Sequence, residues 1–292
     1  SSEWKIIKEE FTPIKKEAEE LELPVFQPED INSGESLKRV EDASPKAFVL
    51  AAYGQIISRD FLDLVDWPIN IHGSLLPKYR GAAPINWAII KGDKMTGVTT
   101  IFMDEGMDSG PILLKDRTNI EENETAGELH NRLADMSSNL ILDTLNGLKE
   151  GSVEPTPQVG ESTLAPKLDR DDGLIDWNQS SSDVHNLIRG TYPWPGAYTF
   201  FEDQKKIKVC RSRDLGKLDE ELLVRLPIRD VAKRADPGTI IDSGSLGLIV
   251  KCSRSSAVKL TRLQPPSKCE ISGTDFVNGY HIEIGDELGK SA

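Results

Sequence analysis

Trp67-Pro68-Ile69-Asn70-Ile71-His72-Gly73-Ser74-Leu75-Leu76-Pro77 is the stretch on which the fold turns. An apolar run from Trp67 to Ile71 carries Asn70, with a second polar side chain, His72, two positions on, and then breaks into a turn containing glycine and proline. Successive side chains of a strand point to opposite faces, so Asn70 and His72 share one face. An amide donor and a proton acceptor therefore lie side by side where a strand gives way to a loop. Ligand sites of open α/β sheets form at such strand ends.

Outward from that strand, helical and extended patterns alternate. Thr12 to Leu21 predicts a helix capped by Thr12 with Pro13 in its first turn. Leu23 to Phe26 predicts a short strand. The uniformly apolar Ala47 to Tyr53 predicts a strand covered on both faces. Arg59 to Val65 and Pro84 to Lys91 predict short helices, the second ended by Gly92. Gly97 to Met103 and Pro111 to Asp116 flank Asp104-Glu105-Gly106-Met107-Asp108-Ser109-Gly110, the pattern of a hairpin. Thr125 to Leu148 predicts the longest helix: Thr125 and Glu128 match a capping box, and Leu129, Leu133, Met136, Leu140 and Leu145 form an apolar stripe.

This alternation predicts an α/β, doubly wound, Rossmann-like domain over residues 1–150. Residues 151–168 read as a linker, with two prolines and no apolar periodicity between Ser152 and Gly160. Residues 169–292 read as a second domain. A short helix, Val184 to Arg189, ends at Gly190. Short strands follow at Ala197 to Phe201, Ile207 to Arg211, Thr239 to Ile241, Leu248 to Cys252 and Val258 to Gln264. That spacing suits a small β-barrel.

The chain has 292 residues, 38% hydrophobic and 28% charged, which fits two globular domains. It contains no stretch approaching the roughly 20 apolar residues of a membrane span and no secretory-signal pattern. Cys210, Cys252 and Cys269 lie far apart, without CxxC spacing or a histidine at ligand distance, which argues against a zinc site or a disulfide framework. The net charge of −13 argues against nonspecific nucleic-acid binding. It leaves room for one local basic run: Lys205, Lys206, Lys208, Arg211 and Arg213. On sequence alone an ordinary solvated hairpin is the preferred explanation of that run over a basic contact face.

The chemistry rests on Asn70, His72 and Asp108. A histidine exchanges protons near neutral pH. A carboxylate within reach would fix its tautomer and favour the imidazolium formed during a reaction. An asparagine amide can donate to an oxyanion. Together they suit acyl transfer to an amine with no covalent enzyme intermediate, and neither a serine elbow nor a histidine-paired cysteine offers a nucleophile instead. Taken singly, each has an ordinary structural explanation: a strand end, a buried histidine, a turn residue. His130, His185 and His281 fall on or beside predicted surface elements and receive no role. Ser74-Leu75-Leu76-Pro77 would present backbone groups in an apolar frame, where a flat heterocycle could dock.

The string from Asn70 to Pro84 (Asn-Ile-His-Gly-Ser-Leu-Leu-Pro-Lys-Tyr-Arg-Gly-Ala-Ala-Pro), followed by Met103-Asp-Glu-Gly-Met-Asp-Ser-Gly110, resembles the formyltetrahydrofolate-dependent formyltransferases. Pro193-Trp194-Pro195-Gly196 and Leu263-Gln264-Pro265 make the branch acting on initiator methionyl-tRNA the nearest likeness. The resemblance implies that Asn70, His72 and Asp108 are the catalytic group. It further implies that Ser74, Leu75, Leu76 and Pro77 contact the co-substrate 10-formyltetrahydrofolate, with no metal. It also implies that the C-terminal domain is an OB-like barrel that helps hold tRNA. The expected protein is a monomer away from membranes, in a bacterial cytoplasm or an organelle matrix. Family members open with a strand, a glycine-containing turn, a helix and a basic loop. This chain reaches the next helix almost at once, so the first βα unit is expected to be missing. Other acceptors fit the same trio: an amino-sugar nucleotide, or water in a hydrolase. A tRNA-binding scaffold without catalysis is the reading from another class.

Overall fold

A computed structural model of the chain describes residues 13–51, 53–201, 205–219, 234–244 and 246–289. The chain divides into one unit of Ser1–Ala47 with Tyr53–Asp66, and a second of Phe48–Ala52 with Trp67–Ala292.

Among its described residues the first unit holds three helices: α1 (Pro13–Glu20), α2 (Gly34–Ala43) and α3 (Arg59–Leu62). The proposed cap Thr12 lies outside the described residues. Ser33 caps α2 through a bond from Ser36 N, and Ser58 caps α3 through one from Phe61 N. Asn32 and Gln55 tie residues 29–32 to 55–58: Gln55 Oε1 accepts from Ile31 N at 3.0 Å, and Asn32 Oδ1 accepts from Ser58 N at 2.8 Å. Leu23 to Phe26 forms no strand. Pro24 has no N–H to give a ladder, which removes one of the few bonds so short a strand could make. The helix expected over Arg59 to Val65 stops at Leu62, where Asp63 caps it.

The second unit contains two sheets. The first has four strands in the order β1 (Ala47–Ala51), β2 (Trp67–His72), β3 (Met95–Phe102) and β4 (Ile112–Asn119). β2 pairs antiparallel with β3, placing Asn70 opposite Ile101 and His72 opposite Thr99, and β3 pairs antiparallel with β4 as the expected hairpin. β1 ends this order, and Val49 and Ala51 are exposed, so the strand is not covered on both faces as its apolar run suggested. α4 (Pro84–Ile90) and α5 (Ala126–Glu150) complete the α/β layer. α5 begins with the predicted capping box, both reciprocal bonds between Thr125 and Glu128 being formed. Its Leu129, Leu133 and Leu140 enter a core with Ala88, Ile89, Val98 and Ile120.

The C-terminal sheet has six antiparallel strands. β5 (Ala197–Phe201), β6 (Lys205–Lys217), β9 (Ser256–Gln264), β8 (Ile249–Cys252) and β7 (Ile240–Asp242) lie in that order, and β10 (Ile271–Ser272) pairs with β9. With α6 (Ser181–Thr191) and α7 (Gly273–Tyr280) they enclose a core that includes Val184, Ile188, Ile207, Val258 and Phe276. α6 does not end at Gly190. That glycine is a packing position: an added Cβ would lie 2.6 Å from Ile90 Cγ1 of α4. Asn86 Nδ2 of α4 donates to Gly190 O at 2.8 Å.

Residues 151–168 form neither helix nor strand, yet they are not a free connection. Thr156 bridges to Ile112, and Leu164 bridges to Arg80. Arg80 N donates to Thr163 O and Ala165 N to Arg80 O, lacing the segment onto the turn after β2.

Candidate active site

The β2 strand brings Asn70 and His72 to one face, and the loop between β3 and β4 carries Asp108 to them. Asn70 Nδ2 donates to Asp108 Oδ1 at 3.0 Å, and His72 Nδ1 lies 3.5 Å from Asp108 Oδ2. The loop reaches this position by local devices. Asp104 Oδ1 accepts from Gly106 N and from Ser109 Oγ, closing a compact turn. Asp108 sits at φ +50°, a left-handed conformation that aspartate tolerates better than most residues. Gly110 backs against β3 so closely that a Cβ would fall 1.8 Å from Phe102 O, so only glycine fits.

His72 is buried, and its Nε2 is 2.7 Å from Tyr79 O. A carbonyl only accepts, so Nε2 carries the proton and the lone pair of the neutral ring is at Nδ1, toward Asp108. The tautomer is thus held by a backbone carbonyl, whereas sequence reasoning assigned that task to the carboxylate. When Nδ1 gains a proton, the imidazolium has an acceptor at each nitrogen, a carbonyl at one and a carboxylate at the other. Gly81 N donates to Asp108 Oδ2 at 2.9 Å, so the carboxylate is anchored from a third direction.

The Ser74-Leu75-Leu76-Pro77 turn is tied down by hydrogen bonds from its inner side. Ser74 and Leu76 are buried, while Leu75 and Pro77 are partly exposed. Ser74 Oγ donates to Lys78 O at 2.6 Å. Thr99 Oγ1 donates to Ser74 O at 2.6 Å and accepts from Leu76 N at 3.3 Å, and Lys115 Nζ donates to Leu76 O. Burial, with Arg117 nearby, lowers the Lys115 ammonium below its ordinary range. The turn therefore presents two partly open apolar side chains on a backbone already satisfied from behind, which fits the face of a flat ring. The described residues contain no group of three or more His, Cys, Asp or Glu placed to hold a metal ion.

Sequence reasoning missed several supporting groups: the Tyr79 carbonyl, the Gly81 amide, Thr99, Lys115 and Gln158. Tyr79 and Gly81 lay inside the quoted motif, but their roles are backbone bonds that no side-chain pattern announces. It also misplaced His185, which is buried, with Nδ1 2.9 Å from Ser212 Oγ and Nε2 3.1 Å from Glu122 O. The basic run lies on β6 and is not merely solvated. Arg211 pairs with Glu128 at 2.7 Å, Lys206 Nζ lies 3.3 Å from the Tyr198 ring centroid, and Lys206 and Lys208 line a groove with Gln264 and Pro265. No described helix is long and apolar enough to cross a membrane.

Two family models match the chain: Formyl transferase over residues 6–145, and Formyl transferase, C-terminal domain, over residues 167–281. The chain is 40% identical to the methionyl-tRNA formyltransferase of Ruminiclostridium cellulolyticum, over 95% of this chain and 85% of the relative. It is 41% identical to the enzyme of the same name from Halothermothrix orenii, with the same coverage. Among solved structures, HypX from Aquifex aeolicus in complex with tetrahydrofolic acid aligns at a TM-score of 0.60 with 18% identity, covering 86% of this chain and 42% of HypX. WlaRD, a sugar 3N-formyl transferase solved in the presence of dTDP and 5-N-formyl-THF, aligns at 0.61 with 17% identity, covering 88% of this chain and 82% of that one. At those identities the two structures establish the fold alone.

Proposed function

The chain belongs to the formyl transferase family, and from that premise we propose that it transfers the formyl group of 10-formyltetrahydrofolate to the α-amine of methionyl initiator tRNA, giving N-formylmethionyl-tRNA. One observation supports this reading above the rest: about 40% identity to enzymes of that name runs through both domains, over 95% of the chain. The convergence of Asn70, His72 and Asp108 supplies a chemistry to match it. In this reading residues 1–150 perform the transfer, residues 151–168 connect, and residues 169–292 serve the acceptor.

The folate co-substrate supplies an activated formyl carbon, and the Ser74–Pro77 turn holds its ring against Leu75 and Pro77. His72 accepts a proton at Nδ1 from the attacking amine. Asp108 and the Tyr79 carbonyl then hold the imidazolium between them. Asn70 spends one amide hydrogen on Asp108 Oδ1 and keeps the other for the oxygen that gains charge as the amine adds. His72 returns its proton to the departing folate nitrogen, which leaves the ring neutral and the amine formylated. Burial of His72, with Asn70 and Asp108 half-buried beside it, limits screening of these interactions by bulk water. On β6, the groove lined by Lys206 and Lys208 beside Gln264 and Pro265 is a contact for acceptor phosphates.

The test is a formylation assay with the purified chain, 10-formyltetrahydrofolate and three acceptors offered separately: methionyl initiator tRNA, an amino-sugar nucleotide, and water alone. Formyl label should appear on the tRNA. Label on the sugar nucleotide, or release of formate without acylation, would replace the proposed acceptor. Retention of tRNA with no turnover would reduce the chain to a binding scaffold.

A further inference from the structure

We propose that Gln158 is a positioning residue of the transfer reaction, clamping the two loops that hold the Asp108 carboxylate at the His72 ring. This rests on the reading that Asp108 and His72 act together. Gln158 lies between the two matched family segments, 6–145 and 167–281, in a stretch whose composition suggested only a connector.

Its side chain is fully engaged. Nε2 donates to Asp108 O at 2.7 Å and to Gly110 O at 2.9 Å. Oε1 accepts from Arg80 Nε at 3.1 Å and Nη2 at 2.7 Å. Both amide hydrogens and both lone pairs of a primary amide are thereby used. The first two bonds fix the backbone on either side of Ser109, where Asp108 holds a left-handed conformation that its surroundings must enforce. The other two fix Arg80. The next residue along, Gly81, donates its N–H to Asp108 Oδ2. One amide thus steadies the carboxylate twice: through its own main chain and through the turn that anchors its oxygen.

The separation being protected is already long, 3.5 Å from His72 Nδ1 to Asp108 Oδ2, so a small retreat of the loop would end the contact. The folate turn has its own supports, Thr99 on Ser74 O and Lys115 on Leu76 O. Loss of Gln158 should therefore reach turnover and spare donor binding.

The experiment is steady-state kinetics of formyl transfer by the full chain for Gln158→Ala, Gln158→Glu and, beside them, Asp108→Asn. Misplacing a catalytic group by about 1 Å costs on the order of 100-fold, so both Gln158 variants should lose about 10- to 100-fold in kcat with KM for the folate donor nearly unchanged. The glutamate variant keeps acceptors for Arg80 but turns the two donations to Asp108 O and Gly110 O into oxygen–oxygen contacts that push the loop away, so it carries the test if the alanine variant fails to fold by circular dichroism. A kcat close to the parent in a folded variant, or a loss confined to KM, would overturn the role of Gln158. Parent-like turnover in Asp108→Asn would instead overturn the reading of the site on which it rests.

Discussion

At the scale of single residues, the site is a division of labour among hydrogen bonds. Asn70 has one amide hydrogen committed to Asp108 Oδ1, which orients the amide and leaves the second hydrogen for the oxyanion role proposed above. Removing one oxyanion donor typically costs about 10²–10³ in kcat. Asn70→Ala should lose about that much turnover, while KM for the formyl donor stays near the parent value because Asn70 lies outside the Ser74–Pro77 turn. Steady-state kinetics measured at varied donor concentration separate the two effects, and parent-like kcat would remove Asn70 from the oxyanion role. His72 shows how far the sequence could be read. Its place beside Asn70 followed from strand alternation alone, since that depends only on spacing. The carbonyl that sets its tautomer did not follow, because Tyr79 acts through its backbone and its side chain points elsewhere, to Asp93.

At the scale of elements, legibility tracks how local the causes are. The capping box of α5 and the β3–β4 hairpin were readable because their determinants lie within a few residues of one another. The Ser152 to Gly160 stretch was not, since its order comes from bonds to Asp108, Gly110 and Ile112, some 40 to 50 positions away. Gly190 is the clearest misreading, a glycine taken for a helix stop that serves as a close contact between α6 and α4. Two opposing effects decide what Gly190→Ala would do. Alanine gains about 1 kcal/mol of helix propensity over glycine. Its Cβ would meet Ile90 Cγ1 at 2.6 Å, and overpacking of that kind costs about 1–3 kcal/mol. Packing should win, with a net loss of about 1 kcal/mol in denaturant unfolding. A stabilised variant would show that the α4–α6 contact relaxes freely.

At the scale of the whole molecule, the α/β layer and the C-terminal sheet are joined within the second unit through α6. That helix buries His185 and Arg189 against the segment leading into α5: Arg189 Nη1 donates to Glu121 O and Glu124 O, and His185 Nε2 to Glu122 O. Burial, reinforced by Arg189, pushes the His185 ring below its ordinary 6.5, against the opposing pull of the Glu122 carbonyl, Asp214 and the Glu122 carboxylate. A histidine whose pKa falls on folding binds fewer protons in the native state, so stability rises with pH across that window. Its contribution is complete above about 6.5 and is lost as pH drops from there toward the folded value. Glu128 acts in a separate, lower window. Arg211 holds its carboxyl down to about 2, so its contribution fades only below 4.5. Between pH 7.5 and 5 the Tm of the parent should therefore fall more steeply than that of His185→Gln. The glutamine keeps a donor for Glu122 O and an acceptor for Ser212 while removing the titration. Thermal unfolding of both proteins across that range decides it: parallel curves would mean that the junction takes up its proton without strain, and that acid sensitivity arises elsewhere in the fold.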